Sequence, residues 1–251
     1  MGALEGKHAV VTGASRGIGL AIAGALQAQG ARVTLMARDA AALEAAAAGL
    51  GGATGWQAID VADAASVGAA FARAGRADIL VNNAGQASSA PFMKTDEALW
   101  QRMLDVNLSG AYHCIQAALP GMLDAGWGRI VNVASTAGLT GYRYVAAYCA
   151  AKHGLVGLTR ALALELAAKG VTVNAVCPGY TETDIVQEAV ANIVRKTGRS
   201  EEQARAELAA GNPQGRLVRP EEVAHAVAML CLPAAAAMNG QSIAVAGGEV
   251  M

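Results

Sequence analysis

Short runs rich in β-branched residues alternate with longer Ala- and Leu-rich segments from the start of the chain: "HAVVTG", "GLAIAGALQAQG", "ARVTLMAR", "DAAALEAAAAGL". Further short runs follow as "GWQAIDV", "ADILVNNAG", "GRIVNVAS", "GVTVNAVCPG" and "QSIAVAGG". These runs are continuously apolar rather than alternating, the pattern of strands covered on both faces of a parallel sheet. The segments between them carry helical periodicity. A strand that must return parallel to its neighbour needs a crossover of helix length, so the pattern predicts an α/β chain: a doubly wound parallel sheet with helices on both faces. The 251 residues suit one such domain over 1–251, and no linker-like stretch divides them.

Helix punctuation agrees with this frame. Gly30 follows "ALQAQ", Gly170 follows "ALELAAK", and Ser200 with Gln203 forms a capping box ahead of "ARAELAA". Residues 184–215 are a long excursion after the sixth strand, with helices predicted at 184–196 and 201–210. A segment of that length between core elements reads as a lid over a substrate site.

The first strand, the glycines of "TGASRGIG" and the first helix stand together at the head of the chain, as in a βα unit that cradles phosphate at a helix N-terminus. Gly13 suits the tight turn, Gly17 the close approach of phosphate and Gly19 close helix packing, with Ser15, Arg16 and Ile18 between them. The spacing is G-x-x-x-G-x-G rather than G-x-G-x-x-G. Residues 13–17 also match the Gly-x-Ser-x-Gly elbow of a serine hydrolase, but only fourteen residues precede Ser15 and no late histidine is marked as a base.

The second strand ends Ala37, Arg38, Asp39. An acid here suits the ribose hydroxyls of NAD, and an arginine suits a 2'-phosphate. Arg38 and Arg16 have the guanidinium geometry for phosphate, while Asp39 is expected to cap the following helix. NADP(H) is favoured, with NAD(H) as the alternative.

The formal net charge of -1 gives no electrostatic case for nucleic acid or an anionic membrane. Cys114, Cys149, Cys177 and Cys231 are widely spaced, without a Cys-x-x-Cys pair or histidines at ligand spacing, so neither disulfides nor a metal are expected. The opening "MGALEGKHAVV" has no signal-peptide layout, and Pro233 interrupts the longest apolar region, so a cytoplasmic protein without a membrane span is expected.

In "YCAAK", Tyr148 and Lys152 stand four apart and share a helix face. A phenol titrates at about 10, and an adjacent ammonium brings it toward the range of a working acid or base. With "TGASRGIG", "NNAG", "VNLSG", "NVAS", "YCAAK" and "NAVCPGYTET" in order, the sequence resembles the short-chain dehydrogenase/reductase family over essentially its full length. Among its members the chain is similar to 3-oxoacyl-thioester reductases, 3-hydroxyacyl-CoA dehydrogenases and polyketide ketoreductases.

The resemblance implies a single-domain Rossmann fold and the following roles. Ser135 would hydrogen-bond the substrate carbonyl, Tyr148 would give or take its proton, Lys152 would hold the nicotinamide ribose and lower the Tyr148 pKa, and Asn107 would anchor a proton-relaying water. Asp60 and Val61 would lie beside the adenine, Asn83, Ala84 and Gly85 along the ribose, and Pro178, Gly179, Thr181 and Thr183 near the carboxamide. Asp78 and Arg129 read as structural, pairing at the surface or at a helix end.

Gln86, Ser88, Thr136, Leu139, Arg143, Tyr144, Tyr180 and Ile185 are positioned to face a substrate, and Arg143 could meet an anionic group. A 3-oxoacyl or 3-hydroxyacyl thioester leads, with simple or aromatic ketones and secondary alcohols next. Two other classes stay open: a non-catalytic NADP(H)-sensing protein and the serine hydrolase. The family pairs helices equivalent to 108–123 and 147–166 between subunits, so a homotetramer is implied.

Overall fold

The computed structural model describes residues 2–52 and 54–250, without the side chain of Ile185. Its seven strands are β1 (His8–Thr12), β2 (Arg32–Ala37), β3 (Thr54–Ala58), β4 (Ile79–Asn82), β5 (Gly128–Val133), β6 (Val171–Pro178) and β7 (Ser242–Val245). They form one parallel sheet in the order β3-β2-β1-β4-β5-β6-β7. The order reverses between β1 and β4, and the carboxyl ends of that pair open the crevice in which ligands of such sheets bind.

Helices α1 (Gly17–Ala28), α2 (Ala40–Leu50) and α9 (Pro220–Cys231) cover one face, around Ile22, Leu26, Leu43, Val223 and Val227. On the other face lie α3 (Ala64–Ala74), α5 (Gly110–Asp124) and α6 (Ala146–Leu166), with Phe71, Cys114, Met122 and Leu166 in the core. The doubly wound α/β expectation holds.

The central strands β1, β4, β5 and β6 are buried throughout, as their unbroken apolar runs require. At the edges the expectation fails. In β3 and β7 every described position is half-buried or exposed, because an edge strand has one neighbour and less helix above it.

Asp78 and Arg129 are both buried, and Asp78 pairs with the half-exposed Arg76. Asp78 accepts from the His8 backbone N–H at 2.9 Å and from Arg76 at 2.9 Å. The Arg129 guanidinium stacks 4.6 Å from the Trp127 ring centre. Both brace the end of the sheet opposite the crevice.

Between α4 (Glu97–Leu104) and α5 the helix widens into a π turn at Asp105–Ser109, with Asn107 buried at its centre. The excursion after β6 forms α7 (Asp184–Thr197) and α8 (Glu201–Ala209), which share a small apolar core of Val186, Val190, Ala204, Ala209 and Leu217. The capping box at Ser200 and Gln203 is present. Thr181 and Val218 pair as a parallel bridge, so the excursion is pinched together at its base.

Candidate active site

At the reversal point, the loops after β1 and β4 brace each other through one hydroxyl. Thr12 accepts from the backbone N–H of Asn83 at 3.1 Å and of Ala84 at 3.0 Å. The Asn83 amide donates in return to the carbonyls of Thr12 and Gly13, both at 3.0 Å. Gly13 turns at φ +63°, and a Cβ there would stand 2.8 Å from Ala84 Cα. At Gly19 it would stand 2.3 Å from the Gly13 carbonyl oxygen. Substitution at either position therefore collides with backbone.

Among the described residues, no hydrogen bond takes up the N–H groups of residues 15–19. The N-terminus of α1 carries no side-chain cap and no acid in its first turn. An uncapped helix start reached through a positive-φ glycine loop fits a dinucleotide diphosphate. Ser15 has no histidine partner among the described residues, and the rings of His8, His113 and His153 bond elsewhere. No charge relay supports a nucleophile at Ser15.

At the end of β2, Asp39 caps α2 by accepting from the Ala42 N–H at 3.0 Å, while Arg38 stays exposed. Arg38 lines a cavity of about 420 Å³ together with Asp60, Gln86 and Arg102. Asp60 accepts from the Ala62 N–H at 3.0 Å, and the buried Val61 receives His113 at its carbonyl at 3.0 Å. Ile18 is half-buried, and Arg16 reaches away from the loop to the Asp184 carboxylate at 2.9 Å.

Ser135, Tyr148, Lys152 and Asn107 converge at the carboxyl ends of β4 and β5. Ser135 caps the start of the turn after β5, and its hydroxyl accepts from the Ala137 N–H at 3.1 Å. Tyr148 stands in the first turn of α6, with the Lys152 ammonium 5.7 Å from its ring centre. Lys152 is buried and donates to the Val133 carbonyl at 2.9 Å. Asn107 donates to the carbonyls of Gln86 at 2.9 Å and Met103 at 3.0 Å, and accepts from the Gln86 N–H at 3.2 Å. Gly85 lies between them: a Cβ on it would stand 2.9 Å from the Asn107 Oδ1 and 3.6 Å from the Lys152 Nζ.

Burial dominates the protonation of this cluster. It pushes the Tyr148 phenol up to about 12, against the hydrogen bond from Ser135 that lowers it. It pushes the Lys152 ammonium down to about 8. The net shift of the Tyr148 phenol is upward, because removing a phenolate from water costs more than the Ser135 hydrogen bond returns.

The segment after β6 curls over the glycine loop. Following Pro178, the Gly179 N–H donates to Val245 O at 3.1 Å, Thr181 donates to Gly179 O at 2.9 Å, and Thr183 donates to Thr181 O at 3.2 Å. The Thr183 methyl would meet a Cβ on Gly17 at 3.3 Å.

The substrate-facing set divides. Thr136 is buried beside Ser135, Leu139 and Gln86 are half-buried, and Tyr180 is partly exposed. Ser88, Arg143 and Tyr144 are exposed, and Tyr144 adopts φ +68°. Two site residues escaped the sequence reading. The Tyr142 hydroxyl lies 2.9 Å from the Thr136 hydroxyl and 2.5 Å from the Glu249 carboxylate. No local pattern links residues 107 positions apart.

The model of the short chain dehydrogenase family matches residues 7–193. The chain is 43% identical over 255 residues to D-beta-hydroxybutyrate dehydrogenase of Cupriavidus necator, covering 98% of this chain and 99% of the relative. It is 40% identical to a 3-oxoacyl-(acyl-carrier-protein) reductase of Vibrio cholerae, covering 99% of each. Among solved structures, a variant of actinorhodin polyketide ketoreductase with NADPH superposes with a TM-score of 0.92 at 40% identity, covering 99% of each chain. The parallel sheet, the glycine loop at its reversal point and these end-to-end matches place the chain in the short-chain dehydrogenase/reductase family, as a NAD(P)-dependent oxidoreductase of ketones and alcohols.

Proposed function

We propose that this enzyme interconverts 3-oxoacyl and 3-hydroxyacyl thioesters with NADP(H). The convergence of Ser135, Tyr148, Lys152 and Asn107 at the carboxyl ends of β4 and β5 carries the reading. When bound, the nicotinamide cofactor supplies or accepts the hydride. In the reductive direction the Ser135 hydroxyl orients the substrate carbonyl and Tyr148 protonates its oxygen. A phenol pushed to about 12 by burial is fully protonated at neutral pH and is ready for that donation. Lys152 holds the cofactor ribose, and Asn107, fixed in its π turn, anchors the water that returns protons inward.

For the cofactor, Gly13, Ser15, Gly17, Ile18 and Gly19 form the diphosphate cradle. Asp60, Val61, Asn83, Ala84 and Gly85 line the adenosine and ribose side, and Pro178, Gly179, Thr181 and Thr183 the carboxamide side. Arg16 and Arg38 are exposed, while the competing acid, Asp39, is committed to its helix cap. This supports NADP(H) over NAD(H). Residues 1–251 act as one dinucleotide-binding and catalytic domain with residues 184–215 as its lid. No helix among the described residues is long and apolar enough to cross a membrane. Exposed Tyr112 on α5 and Leu164 on α6 suit a homotetramer built on those helices.

A second reading is favoured by the name of the Cupriavidus relative: oxidation of a free 3-hydroxy acid. Oxidation of NADPH and NADH should be followed in parallel over acetoacetyl-CoA, longer 3-oxoacyl thioesters, acetoacetate and aryl ketones. The proposal expects fastest turnover of a thioester with NADPH. Faster turnover with NADH on every active substrate overturns the cofactor preference, and acetoacetate as best substrate overturns the thioester reading.

A further inference from the structure

A carboxylate stands one hydrogen bond from Tyr142, whose hydroxyl bonds Thr136 beside Ser135. After β7, Gly247 at φ +62° and Gly248 at φ +96° turn the backbone past Asn212 and Pro213, at the far end of the lid excursion. A Cβ on Gly247 would stand 2.0 Å from the Asn212 Oδ1, so only glycine makes this passage without displacing its neighbour. The turn closes with the Glu249 N–H donating to Ala246 O at 3.1 Å.

Glu249 is thereby delivered between Gly179 and Gly211. A Cβ on Gly179 would lie 2.8 Å from its Oε2, and one on Gly211 would lie 3.3 Å from its Oε1. Oε1 accepts the Tyr142 hydroxyl at 2.5 Å, which leaves Tyr142 to accept from the Thr136 hydroxyl at 2.9 Å. Thr136 adjoins Ser135. A hydrogen-bonded chain therefore runs from the carboxylate to the residue beside the carbonyl-orienting serine.

No lysine, arginine or histidine forms a salt bridge with Glu249 among the described residues. Arg143, the cation expected to meet an anionic substrate, is exposed and makes no salt bridge with this carboxylate. Glu249 is half-buried, where its charge is screened less than at the surface.

We infer that Glu249 is a specificity-determining residue: its carboxylate makes the site select neutral 3-oxo esters and thioesters and exclude free 3-oxo acids. The inference deepens the ketone-reductase reading above and rests on it. A substrate carboxylate in this pocket would face a like charge with no cation between them, whereas the carbonyl of an ester or thioester brings none. Exclusion by an unpaired like charge is a common source of selectivity. Tyr142 ties the carboxylate to Thr136 through its hydroxyl.

The test compares kcat/KM for methyl acetoacetate and acetoacetate, which differ by one charge, in the wild type, Glu249→Gln and Tyr142→Phe. Glutamine still accepts from Tyr142, so only the charge is lost. The wild type is expected to prefer the ester by about a hundredfold, and Glu249→Gln to cut that ratio at least about tenfold, mainly through a lower KM for acetoacetate. Tyr142→Phe keeps the charge and should keep most of the preference. A wild type that prefers acetoacetate overturns the inference whatever the variants do, as does an unchanged ratio in folded Glu249→Gln. Turnover of neither compound overturns the ketone reading itself, an outcome distinct from turnover without selectivity.

Discussion

The Arg16 guanidinium meets the Asp184 carboxylate at 2.9 Å, joining the glycine loop after β1 to the first residue of α7. The side chains are 69% and 46% exposed, so the pair adds at most about 1 kcal/mol to stability. Its consequence is competition. Arg16 can serve Asp184 or an anion held at the loop.

Asp184→Asn should therefore release Arg16 and tighten NADPH binding by about twofold to fivefold, the most that a pair worth about 1 kcal/mol can return, with little change for NADH. Arg16→Ala should weaken NADPH about tenfold by removing one fork to the 2'-phosphate. Fluorescence titration of both cofactors checks this. Equal effects on NADPH and NADH would mean that Arg16 takes no part in recognising the phosphate.

Tyr148→Phe should lower kcat by about a thousandfold while leaving cofactor affinity nearly intact, since the lost hydroxyl acts on the substrate oxygen. Single-turnover kinetics with a cofactor titration separates the two effects. Retention of more than about 5% of wild-type activity would remove Tyr148 from the proton-transfer role.

Buried Lys152 predicts a pH-dependent stability. Its pKa falls from 10.5 to about 8 on folding, so between those values the unfolded chain binds more protons and stability rises with pH. Below about pH 8 the folded protein carries the full cost, about 3 kcal/mol at about 1.4 kcal/mol per pH unit. Lys152→Met should be inactive yet melt several degrees higher than the cofactor-free wild type at pH 7. That advantage should vanish by about pH 10.5, and a difference independent of pH would assign it to packing instead.

Thr12→Val keeps the shape of a fully buried side chain and deletes the hydroxyl that receives two backbone donors. Leaving the Asn83 and Ala84 N–H groups unpaired should cost about 2–3 kcal/mol in chemical denaturation and weaken cofactor binding. Loss of less than about 0.5 kcal/mol would show that water replaces the hydroxyl without penalty.

Much of this molecule is written locally. Runs such as "VVTG", "ILVN" and "RIVNV" are apolar without alternation, and a strand with that pattern is stable only when both faces are covered. The lid helices 184–196 and 201–210 were legible to within a residue of Asp184–Thr197 and Glu201–Ala209, because a capping box and charged faces mark them. The Asp39 cap was legible for the same reason: the residue that must accept the Ala42 N–H stands three positions before it.

What escaped depends on groups distant in the chain meeting in space. The edge positions of β3 and β7 follow from strand order, to which a run's composition is blind. The sign of the Tyr148 shift follows from how far α6 and the loops after β5 and β6 shield the half-buried phenol from water, a tertiary quantity. The bond from Tyr142 to Glu249 spans 107 positions, and the Arg16 pair joins the first loop to the lid. By itself the sequence determined a parallel sheet, a glycine loop at its head and a Tyr-Lys pair on one helix face, because these are properties of neighbours a few residues apart. Only the folded chain decided which charges stand alone in the pocket and which are paired, because burial and long-range contact set the energy of a charge and neither exists before the sheet closes.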